Sequence, residues 1–182
     1  MGFSQSWIAI ALPRTEARAL FKVRPTGQRS EFAELTLSDA ILPNGGYLIV
    51  ANECDWAERQ NLQQLSREGE LVAASVEEHV MVSWASCWRD GNLVWRIAHD
   101  SQISEEHLEV TGELPTGYRE IADELLEKQK TLGDCDYLFD IPVMAAKLTT
   151  DYRHDEDGPW SEDEPFEILE KIEPVRPWWR FW

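Results

Sequence analysis

Apolar and polar residues alternate along two runs between Val80 and Asp100, VMVSWASCWR and NLVWRIAHD, which Asp90-Gly91 divides. That pattern predicts a β-hairpin, because a two-residue turn needs positive φ at both central positions and Asp-Gly adopts it at little steric cost. Counting outward from the turn pairs Arg89 with Asn92, Trp88 with Leu93, Ser86 with Trp95, Trp84 with Ile97 and Val82 with His99. Side chains alternate along a strand, so Val80, Val82, Trp84, Trp88, Leu93, Trp95 and Ile97 are expected on one face. Met81, Ser83, Ala85, Cys87, Val94, Arg96 and Ala98 take the other. At roughly 25 cal/mol per Å² and about 150–250 Å² per large aromatic, burying three indoles contributes on the order of 10 kcal/mol gross, which marks this face as core.

The same pattern places other elements around the hairpin. Ser6 to Leu12 and Leu71 to Val76 read as strands, and the continuous run Tyr47 to Ala51 as a strand buried on both faces. Leu108 and Val110 alternate with polar neighbours in one more strand closing at Gly112. Ala17, Leu20 and Phe21 form a narrow helical stripe ended by Arg24-Pro25-Thr26-Gly27. Asp55 and Glu58 resemble a capping pair opening a helix from Trp56 to Arg67, with Leu62 and Leu65 inward. A longer amphipathic helix spans about Gly117 to Thr131, and Asp140-Ile-Pro142 opens a last one to about Asp151, burying Met144 and Leu148. The expected fold is α+β: a mainly antiparallel sheet of five to seven strands, helices on one face, two layers, over residues 1–155. An acidic segment and a tryptophan-rich tail occupy 156–182, where Gly158, Pro159 and Pro165 break regular structure.

Composition changes the choice of partner. The chain has 182 residues, 17 Lys and Arg against 34 Asp and Glu, and a net charge of −17. Such a field repels phosphate backbones and anionic lipid, so no nucleic acid and no membrane is expected, and a basic protein partner, a cation or simple solubility moves up. Trp7 to Leu12 is too short to span a bilayer and lacks a leader's flanks, which suggests a cytoplasmic protein. Cys54, Cys87 and Cys135 are widely spaced without a CxxC, fitting a reduced compartment and filler roles and arguing against a zinc site.

Candidate chemistry is sparse. Glu77, Glu78 and His79 lead into the hairpin and His99 and Asp100 leave it, so carboxylates and imidazoles gather at one end of the expected sheet. Such groups bind a divalent metal or act as acid and base in a metal-assisted hydrolase, but no HExxH spacing or third ligand supports this. Solvated strand-end polarity explains them as well, and neither metal nor cofactor is expected. Asp155-Glu156-Asp157-Gly158 resembles part of a calcium loop, yet the twelfth position falls on Phe166. Trp178, Trp179, Arg180 and Trp182 would clamp a partner or glue a homodimer, since Trp and Arg dominate interface hot spots; folding back over the chain's own sheet is preferred. The leading expectation is a non-enzymatic acidic module that docks a basic protein, as an immunity-type inhibitor covers a bacterial toxin.

SVEEHVMVSW, SWIAIAL, Tyr137 to Pro142 (YLFDIP) and Tyr152-Arg-His-Asp155 together resemble a group of small acidic bacterial proteins usually described as hypothetical. The resemblance covers most of residues 5–155, leaves the tail outside, and implies no activity, cofactor or site.

Overall fold

The computed structural model describes residues 2–33, 35–132 and 135–172. In chain order the strands are β1 (Ser4–Ile10), β2 (Val23–Ser30), β3 (Leu37–Ile41), β4 (Tyr47–Ala51), β5 (Leu71–Glu77), β6 (Val82–Arg89), β7 (Asn92–Asp100), β8 (Glu109–Gly112) and β9 (Phe166–Lys171). The helices are α1 (Arg14–Phe21), α2 (Leu62–Leu65), α3 (Tyr118–Thr131) and α4 (Asp140–Thr150), with a 3-10 turn at Tyr137–Phe139. All strands join one antiparallel sheet in the order β2-β9-β3-β4-β1-β5-β6-β7-β8, so the fold is α+β and its sheet exceeds the five to seven strands expected. Among the described residues no helix is long and apolar enough to cross a membrane.

SWIAI is the middle of the sheet, with β4 beside it as the apolar run YLIVA predicts. Both faces of β1 are buried, and its alternate residues serve two cores. Trp7 and Ala9 meet Ile141, Val143, Ala145 and Ala146 of α4, Tyr118 and Ala122 of α3, and Leu138 and Phe139. Ile8 and Ile10 meet Ala17 of α1, Leu62 and Leu65 of α2, and Trp56. Helices therefore cover the sheet on two faces, not one, and the two-layer expectation is corrected. The cause is length: a wide sheet with apolar residues at consecutive positions on β1, β4 and β5 has two surfaces to shield from water.

The hairpin turn forms as expected, with φ 51° at Asp90 and 78° at Gly91, a conformation glycine adopts without strain. Its backbone is held from α2: Asp90 N–H donates to the Ser66 carbonyl and Gly91 N–H to Ser66 Oγ, both at 3.0 Å. The register departs from the simple count three residues on. Trp88 faces Leu93, but Cys87 faces Trp95, so Val94 is an extra residue in a β-bulge. Beyond it the parity of β7 inverts. Trp95 and Ile97 join Ala85 and Cys87 against the α4 side, while Trp84 and Trp88 lie on the α2 side. The three indoles therefore do not share a face. Burial explains why: an unbroken ladder would drive the Arg96 guanidinium into the apolar α4 core, whereas the bulge lays it 5.1 Å over the Trp84 ring.

Other boundaries shift for local reasons. Residues 24–27, expected as a loop, belong to β2, where Pro25 is tolerated because β2 is an edge strand. The helix expected over 56–67 shrinks to α2, because Asn61 Oδ1 accepts the Gln64 N–H at 3.1 Å and starts the helix there. Arg59, held by Glu53 and Asp55, belongs to turns before it. Asp140 is not a cap: Asp136 accepts from Phe139 N–H before the 3-10 turn, and Asp140 instead pairs with Arg153 at 2.8 Å. On α4 the buried face is Ile141, Val143, Ala145 and Ala146, leaving Leu148 exposed and Met144 half-buried. Residues 166–171, assigned above to the segment after the domain, enter the sheet as β9 between β2 and β3.

One buried charge cluster ties α1 to this arrangement. Asp39 on β3 is fully buried and receives Arg18 Nε at 2.6 Å and Arg14 Nη2 at 2.7 Å. Glu167 on β9 takes the remaining donors at 2.9 Å. Arg14 and Arg18 are one helical turn apart, so both reach the same carboxylate. Hydrogen bonding to Asp39, opposed by burial, holds the Arg18 guanidinium in its charged form. Two cations and two anions balance, but removing Asp39 leaves two arginines facing one half-exposed glutamate. Asp39→Asn is expected to lower unfolding free energy by about 3–5 kcal/mol in urea; a loss below about 1 kcal/mol would show that α1 is held by its apolar stripe alone.

Candidate functional site

The residues expected to cluster at the hairpin end are divided by the alternation of the sheet. Glu77 ends β5 on the α2 side, where Oε2 accepts from Ser4 Oγ and Oε1 lies 2.6 Å from His79 Nδ1. The Ser4 hydroxyl, outweighing partial burial, holds the Glu77 carboxyl below its ordinary range. Glu78 turns the other way, accepting the Phe3 N–H at 2.9 Å and facing His154 Nε2 at 3.3 Å. His79 is exposed in the 78–81 turn. His99 is fully buried on the α4 side: Nδ1–H donates to the His107 carbonyl at 2.6 Å and Nε2 meets Asp136 Oδ2 at 2.9 Å. Asp100 accepts the Gln102 N–H and belongs to the opposite face.

These five side chains share no focus. Among the described residues no group of three or more His, Cys, Asp or Glu converges as a metal site. In Ser4–Glu77–His79 the carboxylate stands between hydroxyl and imidazole, so the imidazole is not placed to accept the hydroxyl proton as a Ser-His-acid relay requires. Burial pushes the nearby Cys54 thiol up, away from the nucleophilic thiolate. The tail residues Trp178, Trp179, Arg180 and Trp182 lie outside the described residues.

A different site forms where three chain segments meet at the start of β1. It is a cleft of about 470 Å³ lined by Phe3 and Gln5, by Glu31, Phe32 and Ala33 between β2 and β3, and by residues of the 152–166 connection. Its aromatic frame is continuous. Trp7 meets Tyr152 edge-on at 5.6 Å, Tyr152 meets Trp160 at 5.9 Å, and Trp160 meets Phe166 edge-on at 4.9 Å. Trp160 Nε1–H donates to the Ile41 carbonyl at 2.6 Å, which fixes the indole plane. His154, nearly wholly buried, stacks 5.8 Å from Trp7 and meets Phe3 edge-on at 5.1 Å. At the mouth, Phe3 and Phe32 are 40% and 48% exposed, a large apolar exposure for two rings flanking one opening.

Around this frame stand six carboxylates: Glu31, Asp155, Glu156, Asp157, Glu162 and Asp163. Among the described residues no lysine or arginine lines the cleft. Arg153 points back toward α4, bridging Asp140 and Asp155 and so pinning the connection. Burial works against ionisation of Asp155, but the Arg153 hydrogen bond prevails and holds it below the ordinary aspartate range. Burial raises Asp140 despite the same arginine. Lys147 meets Glu156 and Arg29 meets Glu162 at 2.8 Å, whereas Glu31, Asp157 and Asp163 have no ion partner among the described residues. A larger cavity, about 610 Å³, opens near Leu12, Asn44 and Thr149, but Glu70, its one ionisable residue among those described, is already held by Arg89.

None of these aromatic residues was among the sequence candidates. The available signal was Tyr152, Trp160 and Phe166 interspersed among acids, a texture that also describes a linker. Gly158 carries the loop over the indole so closely that an added Cβ would lie 1.8 Å from Trp160 Cζ3. Gly158→Ala should displace that ring, changing the near-ultraviolet circular dichroism at unaltered far-ultraviolet signal and costing about 1–3 kcal/mol; an unchanged aromatic spectrum would contradict the packing. No known protein family, curated protein or solved structure matches the chain.

Proposed function

We propose that this chain is a non-enzymatic binding module whose acidic, aromatic-framed cleft docks a basic protein. The observation that carries this reading is the joint presence, in one opening, of exposed Phe3 and Phe32, a fixed Trp160, and three carboxylates, Glu31, Asp157 and Asp163, without an ion partner among the described residues. Rigid aromatic residues supply binding energy at interfaces because they bury large areas at little conformational cost. Unpaired acids at the rim add little static affinity, but they steer an oppositely charged partner and raise the association rate. The overall charge of −17 extends that field beyond the cleft and disfavours phosphate-bearing partners. An inhibitor that covers the basic active site of a toxin is one form such a module takes.

Immobilised protein exposed to extract of its own host should retain basic proteins at low salt and release them at high salt. The variant Glu31→Gln/Asp157→Asn/Asp163→Asn, all surface changes, should slow association with the retained partner by roughly tenfold. Retention of no basic protein, or equal rates for both forms, would overturn the reading.

A further inference from the structure

We infer, on the basis of that docking role, that the cleft seats an arginine side chain of the partner, as distinct from a lysine. The donors at its inner wall are already engaged. Gln5 Nε2 donates to Asn52 Oδ1 at 2.6 Å and to the Ala33 carbonyl at 3.2 Å, and Trp160 Nε1 to Ile41. An acceptor remains. Gln5 Oε1 has no hydrogen-bond partner among the described residues, although the Gln5 side chain is more than nine-tenths buried and the residue lines the cleft.

An unanswered buried acceptor beneath an acidic rim calls for a ligand that only donates. Arginine and lysine both satisfy that condition. The aromatic frame decides between them. A guanidinium is planar and weakly hydrated and lies flat on a ring, while its five N–H groups diverge in fixed directions toward several acceptors. An ammonium is a strongly hydrated point that keeps its water. Exposed Phe3 and Phe32 both line the opening, and apolar rings reward the flatter, more easily dehydrated cation.

Calorimetric titration of the full chain with nona-arginine, nona-lysine and free arginine amide tests this at one ionic strength. Nona-arginine should bind about tenfold more tightly than nona-lysine, with free arginine amide far weaker than either. Phe32→Ala, at a half-exposed position where folding is not at stake, should abolish the preference while leaving weak, salt-sensitive binding of both peptides. Equal binding of the two peptides by the unaltered protein would overturn the arginine seat and leave the basic-partner reading standing. Binding of neither would overturn both. A preference that survives Phe32→Ala would remove the seat from this cleft, and free arginine amide binding as tightly as the peptide would make it a small-molecule pocket.

Discussion

Parity within a single antiparallel sheet governs this molecule. Each strand presents successive side chains to opposite faces, and along β1, β4 and β5 both faces are buried, so nearly every position there must satisfy one core or the other. A residue on the wrong face is not merely exposed; it is forced into a differently shaped core. The bulge at Val94 is the local answer to that constraint, because Trp95 and Arg96 exchange faces there and each finds the environment its chemistry needs.

The same parity disperses the titratable residues at the hairpin end and gathers an aromatic group elsewhere. Glu77 and Asp100 emerge toward α2, whereas His99 is drawn in toward Asp136. At the start of β1 the α4 face turns up Gln5 and Trp7, and the 152–166 connection crosses over them on its way to β9. That crossing is what makes a cleft. The connection cannot lie flat, because Tyr152 and Phe166 are anchored in the core at its ends while its acids stay in water.

Charge acts on two scales. Deep in the structure it is balanced pair by pair: Arg14 and Arg18 close on Asp39 and Glu167, and Arg153 closes on Asp140 and Asp155. Desolvation makes that balance obligatory. At the surface no such requirement operates, and the excess of acids is free to accumulate around the cleft, where exposed carboxylates cost little and shape encounter with a partner.

What the chain alone determined was whatever depends on neighbours within a few residues. The Asp90-Gly91 turn, the apolar run Tyr47 to Ala51, the amphipathic stretch Tyr118 to Thr131 and the acidic surplus are local facts of dihedral preference, periodicity and composition. Tertiary structure decided the face of Trp95, the insertion of Phe166 to Lys171 between two distant strands, and the meeting of Phe3, Phe32 and Trp160. Those outcomes turn on one extra residue in a ladder and on strand pairings more than a hundred positions apart. Their energy comes from removing area from water in the assembled sheet, a quantity no short window of residues contains.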